Sequence, residues 1–156
     1  MNRNIFITVA IVLTIGFFSS NLFAQQDSDF LEYRQALMKT LGSQMGAIGQ
    51  ILKTGLPLKE HIASHAQVIA INSKLLSAAF EKKITTGRTD SQPAIWQKWS
   101  QFEKAAMATQ RESQKMMEIS ASRSTSGFFA QMKNLGTTCG GCHRSFRKPK
   151  HERFKR

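Results

Sequence analysis

The sequence predicts an all-α fold, an up-down antiparallel four-helix bundle. Three features carry that prediction. Apolar residues recur every three or four positions in four separate stretches, the connections between them are short and marked by Gly, Pro and small polar residues, and no stretch shows the two-residue alternation of a half-buried strand. With 156 residues and 41% hydrophobic content, the chain can build one compact core and is too short for two.

Residues 1–24 read as a signal peptide. Arg3 precedes an apolar run over 5–18 interrupted only by Thr8, Thr14 and Gly16, shorter than the about 20 residues a spanning helix needs. Ser19, Ser20 and Asn21 lead to Ala24, after which cleavage is expected to leave Gln25 as the mature start, although Leu22 is larger than usual two positions upstream. The competing reading is an uncleaved anchor. No cysteine follows the run, so a lipoprotein is excluded.

The first helix is expected over 27–53, with Phe30, Leu37, Leu41, Ile48 and Leu52 on its stripe and Asp27 or Ser28 capping its first turn. Gly42, Gly46 and Gly49 share a face of it, each costing about 1 kcal/mol relative to Ala. Either a close helix or a flat group is expected against them. Residues 54–57 form a turn, and Pro57 suits the first position of the second helix, whose stripe is Leu58, Ile62, Ala66, Ile69, Ser73, Leu76 and Phe80. His61 and His65 are an i, i+4 pair with no third ligand in reach by sequence, which favours a solvated edge over a metal site. Residues 84–92 are loop-like. Pro93 restarts a third helix running to about Ser120, with Ile95, Trp99, Phe102, Ala106, Thr109 and Met116 on its stripe and Trp96 beside it. A polar linker over 120–127 precedes a fourth helix carrying Phe128, Phe129, Met132, Leu135, Cys139, Cys142 and Phe146.

On that last helix, residues 139–143 read Cys-Gly-Gly-Cys-His, the pattern of a c-type haem attachment site. Two thiols three apart can each add to a vinyl group of one porphyrin, and His143 then meets the iron. Gly140 and Gly141 keep side chains away from the macrocycle. A redox disulfide of the thioredoxin kind sits beside a βαβ pattern that is missing here. A zinc site needs two more ligands, and Cys139 and Cys142 are the only cysteines. One covalently attached haem c is therefore expected. Export fits it, because bacterial c-type haem is attached outside the cytoplasmic membrane, and the periplasm is the expected location.

The formal charge is +12, and the final thirteen residues hold seven Lys or Arg against Glu152 alone. Residues 149–156 read as a basic C-terminal tail after a domain over 25–148. Such a tail steers a protein toward an acidic redox partner or an anionic membrane surface; nucleic acid is not expected, since an exported protein rarely meets it. No catalytic constellation is present, so the chain is not expected to be an enzyme.

The residues so far resemble the class II cytochromes c, the cytochrome c prime family, over essentially all of 25–148. The segment 33–42, YRQALMKTLG, resembles the family's first helix. AAF ending at Phe80 resembles the end of its second, Pro93, Ile95 and Trp96 the start of its third, and CGGCHRSFR over 139–147 its attachment helix. The resemblance implies that Cys139 and Cys142 carry the thioethers and that His143 is the proximal ligand. It implies further that Arg147 lies near the proximal face and that Arg34 pairs with a haem propionate; the family's tendency to form homodimers through the first two helices is left open by the sequence.

Met38, four residues after Arg34, matches the position the family sets over the open side of the iron. An apolar residue there leaves a five-coordinate, high-spin haem that takes up nitric oxide or carbon monoxide; a Met there is the sixth ligand in the low-spin branch. Leu37, Met38 and Lys39 followed by Gly42 look more like the low-spin branch, and a thioether raises the potential. Met45, Met132 or a histidine of the second helix are the alternatives to Met38. The resulting expectation is a one-electron carrier with His143 and Met38 on the iron, and the alternative is a gas-binding protein.

Overall fold

The computed structural model describes residues 3–121 and 125–154, and only the backbone of 3–24, 125 and 126. Six helices follow in order: α1 (Arg3–Thr54), α2 (Lys59–Ser73), α3 (Leu76–Glu81), α4 (Ala94–Gln97), α5 (Trp99–Ala121) and α6 (Thr125–Phe146), with one 3₁₀ turn at Lys150–Glu152. α1 packs on α2, α2 on α5 and α5 on α6, while α3 and α4 sit at one end against α5. The arrangement is the expected four-helix bundle, with α2–α3 and α4–α5 each acting as one broken rod. Among the described residues no helix is long and apolar enough to cross a membrane.

Five boundaries differ from the periodicity. α1 starts at Arg3 rather than near Asp27. No proline interrupts 3–26, so nothing stops the helix from running back through the leader-like segment. Asp27 therefore caps nothing and pairs with Lys82 Nζ at 2.7 Å. Pro57 lies ahead of the second helix rather than at its first position, because Leu58 is the residue before Lys59.

The second rod breaks at Lys74 and Leu75, where N–H groups donate to Ile71 and Asn72, three residues back. There Ser73 turns its hydroxyl inward, 2.7 Å from the Ser113 hydroxyl on α5. The third rod breaks at Lys98 (φ −127°, ψ 46°). The linker expected over 120–127 is mostly helix: α5 reaches Ala121 and α6 begins at Thr125, leaving 122–124 outside the described residues.

The connections obey local chemistry. Gly55 and Gly87 hold φ of +67° and +77°, a region costly for other residues. At Gly87 an added Cβ would also meet Leu31 Cδ1 at 3.1 Å.

Most stripe residues are buried, and they divide into two clusters. One joins Ile48, Ala66, Ile69, Met116, Phe128 and Leu135. The other joins Leu37, Phe80, Ile95, Phe102, Ala106 and Phe146 with their neighbours, and in it Phe80, Trp99 and Phe146 lie 5.3–5.4 Å from the Phe102 ring. Phe129, expected on the core stripe, is instead 58% exposed.

Candidate haem site

Two adjoining chambers, of about 260 and about 300 Å³, open between α1 and α6. Met38, Gly42, Phe102, Cys142 and His143 border both. Cys139, Leu41, Met45, Ile69 and Leu135 belong to the first, and Arg34, Asp90, Phe146 and Arg147 to the second. All six residues expected at the site thus meet around one crevice.

α6 brings the attachment residues together by its pitch, since positions three and four apart share a face. Cys139 and Cys142 are free thiols, half-buried along the cavity. Burial raises both thiol pKa values, that of Cys142 to about 11, with charge on Cys139 adding to the effect. A metal ion bound here would have to displace both thiol protons. Moreover, no cluster of three or more His, Cys, Asp or Glu forms among the described residues.

His143 stands open to the crevice, and desolvation, then the positive charges of Arg147 and Arg153, lower its pKa. The imidazole is thereby kept neutral, the form that ligates a metal. The guanidinium of Arg144 lies over Gly140 and Gly141, where an added Cβ would meet it at 3.5 and 3.7 Å.

Arg34 is only 3% exposed. Its Nε donates to the Ala79 carbonyl at 2.6 Å and one Nη to the Lys82 carbonyl, so it serves orphan carbonyls at the end of α3. The Phe80 and Trp96 rings flank it at 5.1 and 5.7 Å, and the Trp96 indole N–H donates to the Phe80 carbonyl at 2.8 Å. Nη1, buried, has no hydrogen-bond partner. An unsatisfied cationic N–H beside a cavity is costly unless an anion completes it. The carboxylate of a haem propionate has that chemistry, and the residues present therefore fit the group.

The glycine face splits. Gly42 borders both chambers, and a Cβ there would meet nothing within 4 Å, so it leaves room beside the cofactor. Gly49 is a close helix contact, 3.6 Å from Met132 Cε for an added Cβ. The close-helix expectation holds at Gly49, while Gly42 faces the open crevice.

Of the alternative ligands, Met45 borders the first chamber with Met38. Met132 belongs to the closed cluster instead. His61 is exposed, and His65 bonds Gln44 on α1; neither borders a chamber.

Arg147 forms an ion pair with Asp90 at 3.1 Å. Sequence reasoning missed Asp90, whose only signal is that it is the sole acid between Glu81 and Glu103. It also treated the C-terminus as a loose tail, whereas Lys150–Glu152 is a 3₁₀ turn tied back to the loop.

A four-helix bundle with a Cys-x-x-Cys-His helix facing an internal crevice defines a c-type cytochrome of the bundle class. The family model described as Cytochrome C' matches residues 29–147, and the chain belongs to that family. Its members carry one covalently attached c-type haem, and this chain does as well. Cytochrome c' of Pararhodospirillum photometricum is 31% identical over 119 residues, covering 76% of this chain and 95% of that protein. Cytochrome c prime from Shewanella frigidimarina superposes with a TM-score of 0.74 at 26% identity, covering 79% of this chain and 97% of that one. A nitric oxide complex of a variant of cytochrome c prime from Alcaligenes xylosoxidans superposes with a TM-score of 0.72 at 26% identity, over 80% and 97%.

Proposed function

We infer that the protein is a periplasmic, monohaem gas-binding cytochrome whose iron keeps one side open to nitric oxide or carbon monoxide. One observation carries this reading: apart from Thr109, Cys139, Cys142 and His143, the wall that would surround the haem in the first chamber is apolar, with Leu41, Ile69, Leu76 and Phe102 in it. Such a wall admits a small uncharged diatomic and disfavours water and anions. The family membership and the nitric oxide complex of a relative point the same way. When bound, the haem supplies the iron centre that takes up the gas.

The chain's own residues divide the remaining work. Cys139 and Cys142 tether through thioethers, His143 offers a neutral imidazole from α6, and the free N–H of Arg34 holds a carboxylate. Arg147 places positive charge on the His143 side. No group in the crevice is set up to make or break bonds in an organic substrate, so the protein is read as a binding protein and not an enzyme. Residues 1–24 act as its export signal and 25–148 as the cytochrome domain. The exposed Tyr33 on α1 and Ile71 on α2 suit a homodimer through those helices.

The electron carrier with Met38 on the iron is the second reading, and one observation favours it: Met38, like His143, borders both chambers. It loses weight because Met45 borders the first chamber as well, so the fold does not single out one sulfur. The ferric visible spectrum with and without nitric oxide separates the two. A high-spin spectrum that changes on adding the gas supports gas binding, and a low-spin spectrum with a sulfur-to-iron band, unchanged by the gas, supports the carrier and its redox partner.

A further inference from the structure

The C-terminal segment is held by the loop between α3 and α4, and nearly every tie runs through or beside one residue. Asp90 Oδ2 accepts from Arg147 Nη2 at 3.1 Å, and its Oδ1 accepts from the Phe154 N–H at 3.2 Å. The Asp90 carbonyl accepts from the Lys148 N–H at 2.8 Å. Next to it, Ser91 and Arg147 form an antiparallel bridge, and Gln92 donates its N–H to the Phe146 carbonyl at 2.9 Å and its side-chain amide to the Arg147 carbonyl at 2.8 Å. Arg153 Nε closes the turn on the Lys148 carbonyl at 2.7 Å, and Lys148 Nζ lies 5.3 Å from the centre of the Phe154 ring.

The contacts made by Asp90, Ser91 and Gln92 join positions more than fifty residues apart, and no local propensity explains them. They also sit where the charge is most one-sided, since the last thirteen residues carry seven cations against Glu152. Left alone, such a segment repels itself away from the basic body of the chain. The Asp90 side chain, only 11% exposed, supplies the missing anion. Asp90 and Arg147 both border the chamber of about 300 Å³ that His143 also borders.

We propose that Asp90 is a positioning residue for the haem crevice: it folds the basic C-terminal segment onto the crevice rim and, through its ion pair, holds Arg147 on the His143 side. The first half of the proposal stands on the protein alone; the second rests on the haem-binding reading.

Two measurements test it on the full-length holoprotein. Asp90→Asn keeps the shape of the side chain and removes its charge. Trypsin should then cut after Lys150 and Arg153 roughly fivefold faster than in the wild type, the effect of losing an ion pair worth about 1 kcal/mol. Unchanged cleavage would overturn the folding-back. The second measurement is the reduction potential across wild type, Asp90→Asn, Arg147→Gln and the double variant. If Asp90 places Arg147, the shift caused by Asp90→Asn depends on whether Arg147 is present, and the two shifts do not add. Charges placed independently by the scaffold give additive shifts, and that result would overturn the positioning role. A wild type without a haem spectrum would instead defeat the functional reading, leaving the trypsin result to judge the folding-back by itself.

Discussion

The end of the bundle built on Ile48, Ala66, Met116 and Phe128 is filled from within, whereas the end built on Leu37, Phe80, Phe102 and Phe146 borders open chambers. The first is largely aliphatic; Ile48 and Met116 are fully buried there and border neither chamber. The second gathers the aromatic rings, the broken helices and a buried guanidinium with one unsatisfied N–H. Interiors pack at crystal-like density, so a hollow end with an orphan cation is a receptacle whose stability depends on what fills it. One end of the bundle is a scaffold, and the other is a site.

The largest effect should come from removing the group that fills the hollow end. Changing both Cys139 and Cys142 to Ser should give a denatured mass equal to the bare polypeptide, where the wild type carries one haem more. Amide exchange in α3, α4 and residues 84–92 should then accelerate far more than in the Met116 region of α5. Uniform loss of protection along the chain would erase the distinction between the two ends.

At the closed end, Ile48→Ala should cost about 2–5 kcal/mol in denaturant unfolding, as buried aliphatic truncations do. An equal loss from Met38→Ala would show that the hollow end is packed as tightly. Between these lies Arg34→Met, which strips the Ala79 and Lys82 carbonyls of their donor. It should destabilise by roughly 1.5–3 kcal/mol and weaken retention of the porphyrin's carboxylate side, seen as a shifted Soret band.

Met38→Ala sharpens the comparison in a different currency. It should change stability by less than Ile48→Ala, while speeding carbon monoxide or nitric oxide uptake through a wider chamber. Loss of a sulfur-to-iron band in that variant would favour the carrier reading instead.

The smallest effect is expected at Glu112, far from the crevice. Hydrogen bonds from Lys115, then from Gln131, hold its carboxyl below the usual carboxylate range. A lowered native pKa contributes stability above the unfolded value and loses it as pH falls through the native one. Glu112→Gln should therefore be mildly destabilising at neutral pH, and the difference should vanish in acid. A difference that persists in acid would assign the effect to packing.

What the sequence by itself determined is whatever local spacing encodes. The 3.6-residue period of the stripes set the four rods, Gly55, Gly87 and Pro93 set turns, and Cys139, Cys142 and His143 declared the cofactor. Tertiary structure decided what depends on contacts between distant positions. Arg34 finds its carbonyls 45 and 48 residues away, and Asp90 finds Arg147 57 residues away. The break at Lys74 lies beside a serine pair joining α2 to α5. Met38 and Met45, both on the first helix's inward side, are equivalent by period, and both border the first chamber while Met38 alone reaches the second. Helical periodicity says which way a side chain faces; which partner waits there is set by chain closure, and no window of local sequence contains it.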